Sequence, residues 1–253
     1  MIKYAMELCY VGTRYAGWQS QKNAVSVQNK INEALSIILK REIQTVSSSR
    51  TDTGVHAKQQ FCHFEFDFSL PKNIVRQLNG MLPNDIAVHA IYQVPDTFHA
   101  RFDAIHRSYE YHIIQKKNPF LYQKAYFLTR RLDIEQMNKG AEILLKTINF
   151  QSFCKTRSET KSYLCKLRYA YWKEISDKHL VFYISSNRFL YGMVRSIVGT
   201  LIELGENKIT LTEFEEIVDS QDRKKAKYAA PAEGLFLTEV AYPWDWQTFP
   251  SWQ

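Results

Sequence analysis

The sequence is poor in the groupings that announce metal or disulfide chemistry. Its four cysteines, Cys9, Cys62, Cys154 and Cys165, form no Cys-x-x-Cys pair, and its seven histidines fall at no metal-ligand spacing. Neither a zinc site nor a disulfide framework fits that pattern; reduced core thiols and no metal are expected. No apolar run is long enough to cross a bilayer, and the N-terminus lacks a basic-then-apolar targeting pattern. A cytoplasmic protein with no membrane partner is therefore expected. Acidic residues are the scarcer charge, 26 against 33 Lys and Arg, giving a formal +7. Such an excess favours a polyanionic partner, nucleic acid first, although mildly basic proteins that bind nothing charged are also common.

What is present is a globular chain of 253 residues, 45% hydrophobic and 14% aromatic, long enough for one large domain or two small ones. Ile2 to Tyr10 alternates apolar and other residues, the period of a strand. Ser26 is placed to cap a helix whose apolar positions Val27, Ile31, Leu35 and Ile38 recur at helical spacing. Strands are expected over Glu42 to Ser47 and Gln59 to Phe68, the second with Cys62, Phe64, Phe66 and Phe68 on one face. Ser69 and Pro71 open a second helix carrying Ile74, Leu78 and Met81, and Ile86 to Val94 is a further strand.

This β-α-β-β-α-β order is the ferredoxin-like split arrangement, and the second half repeats the order without repeating the sequence. It offers a strand at Ile105 to Gln115, a helix started by Asp133 and Gln136, and strands at Tyr163 to Ile175 and His179 to Ser185. A helix from Phe189 to Gly205, a shorter one at Leu211 to Ser220 and a strand at Leu235 to Tyr242 complete it. The expected class is α+β: two ferredoxin-like (βαββαβ) halves, 1–104 and 105–253, joined into one largely antiparallel sheet flanked by helices with a central cleft.

Between two of the expected strands lies Ser48-Ser49-Arg50-Thr51-Asp52-Thr53-Gly54-Val55-His56-Ala57. It holds one carboxylate, Asp52, with Arg50 two residues before and Gly54 two residues after. A loop of this kind can present a carboxylate from a rigid frame; it reads equally as a turn in which Asp52 caps backbone amides. A metal-dependent nuclease or phosphotransferase would need clustered carboxylates, which the loop lacks. Val11 to Gln19, with two glycines, Arg14, Tyr15 and Trp18, fits either base stacking and phosphate contact or a loop pinned to the core. Phe98 to Tyr111 interleaves Arg101, Arg107, His99 and His106 with aromatics, a combination suited to phosphates and splayed bases. Tyr109 and Tyr111 also fit same-face packing in a strand. Arg195 lies at the edge of an apolar helix face with Tyr191, Val198 and Ile202. It is either a snorkelling arginine or a partly buried cation paired with a carboxylate. Gly192, Ser196 and Gly199 make a small-residue stripe open to close approach. The basic run Arg223 to Lys227 reads as a solvated loop or a phosphate contact. Trp244, Trp246 and Trp252 in the tail fit either a docked segment or an oligomer interface.

These stretches together resemble the TruA family of tRNA pseudouridine synthases. The family's catalytic loop, Gly-Arg-Thr-Asp-Ala-Gly-Val-His-Ala, stands here as Ser49-Arg50-Thr51-Asp52-Thr53-Gly54-Val55-His56-Ala57. The other matching blocks are Gly12-Thr13 through Gly17-Trp18-Gln19, Ala100-Arg101-Phe102, Arg107-Ser108-Tyr109-Glu110-Tyr111, Asn187 through Met193-Val194-Arg195, and Ala230-Pro231-Ala232-Glu233-Gly234-Leu235. They follow the family's order along nearly the whole chain. Val11 stands where the family usually has an acidic residue, Ser49 replaces a glycine and Thr53 an alanine. Ser49 would be strained if its position required a positive φ.

The resemblance implies the pseudouridine synthase fold and conversion of uridine to pseudouridine in tRNA, usually in the anticodon stem-loop. It further implies no cofactor, no metal and a homodimer. Asp52 would be the nucleophile, attacking either C6 of the uracil or C1′ of the ribose. Arg195 would be the cation that pairs with it and secures its charge. Tyr109 would stack on the extruded base and assist proton removal. Arg50 would fill the gap left by that base or hold its phosphate, and Leu235 would line the pocket. Extruding a base costs a few kcal/mol, which a basic surface must offset by holding the RNA. The alternative on the same scaffold is a non-catalytic RNA-binding or RNA-folding protein.

Overall fold

Alternation of apolar side chains in Ile2–Tyr10 produces the strand expected of it: β1 carries Tyr4, Met6 and Leu8 fully buried on one face. The computed structural model describes residues 1–156 and 160–253. They fall into two compact units, Met1–Ile105 with Leu237–Gln253, and His106–Phe236. Among the described residues there are five α-helices and ten strands, the α+β class that the sequence pattern implies. No described helix is long and apolar enough to cross a membrane.

In the first unit, β1 is followed by α1 (Val27–Leu39), β2 (Val46–Ser47), β3 (His56–Phe66), α2 (Ile74–Met81) and β4 (Ile86–Val94). β1 runs antiparallel between β4 and β3, and β2 pairs antiparallel with β3. The strand order 4-1-3-2 is that of a ferredoxin-like sheet. Ser26 caps α1 by accepting from the Asn29 amide at 3.1 Å. The strand expected from Glu42 shrinks to Val46–Ser47. Side chains of α1 take its backbone groups instead: Ser36 Oγ accepts from the Ile43 amide, Asn32 Oδ1 from the Thr45 amide, and Gln28 Nε2 donates to the Thr45 carbonyl. α2 begins at Ile74 rather than at Pro71, and Phe68, expected in the strand, is 69% exposed beyond its end. The tail lies on this unit: the Trp246 ring stacks on Phe61 at 4.7 Å, and the Tyr242 hydroxyl donates to the Ala100 carbonyl at 2.6 Å. Its last residues form β10 (Ser251–Trp252) against β4. The other two tail tryptophans, like Trp246 half-buried, also meet rings of this unit, Trp244 at 5.7 Å from Phe98 and Trp252 at 5.6 Å from Tyr4.

In the second unit, β5 (His106–Ile114) is followed by β6 (Tyr126–Phe127), α3 (Ile134–Lys146), β7 (Leu167–Ser176), β8 (His179–Ser186), α4 (Met193–Gly205) and α5 (Leu211–Asp219). β8 lies antiparallel between β5 and β7, and β6 is parallel to β5. β9 (Leu235–Ala241) starts in this unit, and its residues from Leu237 belong to the first. Asp133 caps α3 through the Gln136 amide, and Thr210 with Glu213 forms a reciprocal capping box on α5. β7 starts at Leu167 because the residues before it pair elsewhere: the Phe150 amide donates to the Tyr163 carbonyl and the Cys165 amide to the Ile148 carbonyl. α4 starts at Met193, not Phe189, since Gly192 turns into the left-handed region at φ +69°.

Candidate active site

The Asp52 loop is fixed by side-chain and backbone contacts together. On its N-terminal side the buried Gln60 donates to the Ser49 carbonyl at 2.8 Å and accepts from the Ser48 hydroxyl, while Ser47 Oγ donates to the same Ser49 carbonyl at 3.0 Å. Losing one partner of such a buried group costs about 1–3 kcal/mol. In the middle, the Thr51 hydroxyl meets the Tyr10 hydroxyl at 2.7 Å, and the Thr51 carbonyl accepts from the Trp18 amide at 3.2 Å. Gly54 takes φ +79° and donates its amide to the Tyr15 carbonyl; the Val55 amide then closes a turn on the Asp52 carbonyl at 3.1 Å. Asp52 is half-buried and Arg50 exposed.

The glycines of the 12–17 segment are what allow this. A Cβ on Gly12 would fall 1.9 Å from the Val55 carbonyl oxygen, and one on Gly17, already at φ +83°, would fall 2.4 Å from the Thr51 oxygen. The Gly12 amide also donates to Nδ1 of the buried His56 at 3.0 Å. The two loops are therefore one assembly, joined by backbone contacts that any side chain at residue 12 would break. Tyr15 and Arg14 are in turn held by Asp85, at 2.6 Å and 2.9 Å.

A second group forms in the other unit. Arg195 on α4 donates from Nε to the Ala230 carbonyl at 2.7 Å, and the Ala230 amide returns a bond to the Arg195 carbonyl at 2.9 Å. The small-residue stripe makes room for this: a Cβ on Gly199 would lie 1.9 Å from the Tyr228 oxygen. Arg195 is half-buried, with its guanidinium held by a backbone carbonyl. The 230–235 segment is further anchored by Tyr111, whose hydroxyl donates to the Pro231 carbonyl at 2.8 Å. Burial pushes the Tyr111 phenol well above its ordinary pKa, so it stays a donor. Of the two same-face tyrosines, Tyr111 is fully buried as a strut, and Tyr109 retains 9% exposure with its ring edge-on to Phe189 at 5.0 Å. Leu235 is buried at the start of β9.

Asp52 and Arg50 thus lie in the first unit, and Tyr109, Arg195 and Leu235 in the second. Missed in the sequence are Gln60 and Tyr10 as supports, a polar side chain and a hydroxyl in strands beside a motif, whereas Tyr111 packs in its strand as its same-face position allows. Among the described residues no group of three or more His, Cys, Asp or Glu is placed to hold a metal ion.

A sequence profile of the tRNA pseudouridine synthase family matches residues 8–103 and 142–243, which takes in the Asp52 loop, Arg195 and Leu235. The chain belongs to that family. It is 40% identical to tRNA pseudouridine synthase A of Azobacteroides pseudotrichonymphae over 244 residues, 96% of this chain and 98% of the relative. It is 42% identical to the enzyme of that name from Bacteroides thetaiotaomicron over 97% of this chain and 92% of the relative. The Staphylococcus aureus protein of that name is 34% identical over 94% and 91% of the two chains. Within this family the serine at 49 carries no conformational cost: it is absent from the residues with positive φ, and its carbonyl is doubly bonded. Thr53 is exposed at the turn, where a hydroxyl meets water.

Proposed function

We propose that this protein converts uridine to pseudouridine in tRNA, in the anticodon stem-loop, with Asp52 as the nucleophile. The observation that carries the reading is the solitary carboxylate on a loop locked by backbone contacts to two glycines, in a chain of this family. Substrate and product are isomers. The N1–C1′ bond breaks, the uracil turns, a C5–C1′ bond forms, and the C5 proton leaves as N1 gains one. No electrons are exchanged with a third party, so the balance calls for no redox partner. Asp52 forms its covalent bond at C6 or at C1′, and either route ends in the same exchange of bonds. In this reading Arg195 is the cation opposite the carboxylate, held in direction by Ala230. Tyr109 stacks on the flipped base, Leu235 lines its pocket, and Arg50 takes the space or phosphate that the base leaves. A homodimer supplies the basic surface that a whole tRNA requires.

The test is release of tritium from tRNA transcripts labelled at C5 of uridine, by wild type and by Asp52→Asn. Release by wild type alone is the expected result. Binding without release by wild type would favour an RNA-binding or RNA-folding protein, and equal release by both would remove Asp52 from the reaction.

A further inference from the structure

Between Glu110 and Asp133 the chain has no acidic residue, yet it carries Lys116, Lys117, Lys124, Arg130 and Arg131. Arg130 is engaged, with Nε 2.6 Å from Glu206 Oε1. Lys116, Lys117 and Lys124 are exposed and have no ion-pair partner among the described residues. In the same loop Phe120 is 90% exposed and Tyr122 73% exposed. Two aromatic rings standing in water between unpaired lysines are not explained by packing in this unit.

The loop is also built to hold them there. Asn118 Oδ1 accepts from the Phe120 amide at 3.0 Å, and Pro119 sets the first turn. The Leu121 amide donates to the Asn118 carbonyl, the Tyr122 amide to the Pro119 carbonyl, and the Lys124 amide to the Leu121 carbonyl. Four hydrogen bonds in seven residues fix the backbone, so the rings are presented with little left to order on binding.

We propose that Lys116–Lys124 is an RNA-contact loop: Phe120 and Tyr122 each stack on an unpaired base, and the three lysines neutralise the flanking phosphates. The inference rests on tRNA as the substrate and adds a place where it is gripped, beyond the residues assigned to the reaction. Exposed rings alone would also suit a protein partner. A second copy of this chain, docking this loop on itself, would bring six unpaired lysines together, whereas an unpaired RNA strand offers both π faces and negative charge. Base-paired RNA hides its base faces, so the occupant is a single-stranded or loop segment.

The experiment is fluorescence anisotropy of end-labelled tRNA with wild type, Phe120→Ala/Tyr122→Ala, and Lys116→Gln/Lys117→Gln/Lys124→Gln. The aromatic variant, which loses two stacked bases, is expected to bind about thirtyfold more weakly or worse. The lysine variant is expected to flatten the slope of log affinity against log salt by about 2. Phe120→Trp should keep affinity and Phe120→Leu should not, which separates stacking from mere apolar contact. In tritium release the aromatic variant should raise KM for tRNA and leave kcat unchanged. Equal tRNA affinity of the aromatic variant and wild type would overturn the inference. So would a fall in oligomeric state on sedimentation, which would assign the rings to a contact between copies. A wild type that binds tRNA without releasing tritium would defeat the catalytic reading, while the binding comparison would still decide this one.

Discussion

Gly12→Ala asks how far the Asp52 loop depends on its neighbour. The added Cβ would sit 1.9 Å from the Val55 carbonyl oxygen and 2.6 Å from its carbon, more than an ångström inside ordinary contact. The obstacle is backbone, so no change of rotamer relieves it. Val55 must retreat, and it is bonded to the Asp52 carbonyl at 3.1 Å; the Gly12 amide is itself bonded to His56 at 3.0 Å. The carboxylate therefore shifts by something near the size of the clash. Overpacking of this sort costs about 1–3 kcal/mol, a minority of the stability of an ordinary domain, so the variant still folds. A misplacement of about 1 Å at a reacting group costs about a hundredfold in rate. Single-turnover tritium release should slow by that factor while tRNA affinity stays within about twofold, and thermal denaturation should show a Tm lower by several degrees. Gly80→Ala supplies the control, because a Cβ there meets nothing within 4 Å. On α2 it should be neutral or stabilising by about 1 kcal/mol. A Gly12→Ala protein that is destabilised yet reacts at the wild-type rate would refute the claim that this contact sets the carboxylate's position.

Burial, with His99 and Lys3 nearby, pushes His63 down to about 4, below the 6.5 of an unfolded chain. The unfolded chain then protonates first as pH falls, so the stability due to His63 is full above about pH 6.5 and drains away between there and about pH 4. Urea melts should show a loss of about 1–2 kcal/mol across that window, allowing for solvent screening, and His63→Gln should flatten it; an unchanged slope would count against the assignment. Tyr111→Phe leaves the Pro231 carbonyl without its 2.8 Å donor and should cost about 1–2 kcal/mol in denaturant melts, with a smaller effect on tritium release than Gly12→Ala. Arg195→Lys keeps a charge but loses the Nε bond to Ala230; it should slow release by tenfold or more, and a lysine variant at full rate would show that direction is irrelevant.

Periodicity and capping were enough to read most elements, because those signals are local: the Ser26 and Asp133 caps and the Ile86–Val94 strand lie where their residues place them. The lost strand at Glu42 has a non-local cause. Glu42 to Thr45 has strand-like composition, but α1 captures its backbone groups with Ser36, Asn32 and Gln28, and no local window contains both segments. The site divides in the same way. Asp52, Arg50, Tyr109, Arg195 and Leu235 were readable as side chains in motifs. Among the contacts that fix the Asp52 loop, two run from backbone to backbone across glycine, at Gly12 against Val55 and Gly17 against Thr51. Such a contact leaves no chemical mark in the sequence except a missing side chain. The Gly192-Ser196-Gly199 stripe shows how much can still be recovered: it foretold a close approach without naming the partner, and at Gly199 the partner proved to be the Tyr228–Ala230 backbone that directs Arg195. The Phe120 loop is the converse, since its composition alone gives it no role. What gives its rings meaning is that they are 90% and 73% exposed, and exposure is a property of everything that fails to pack against a residue.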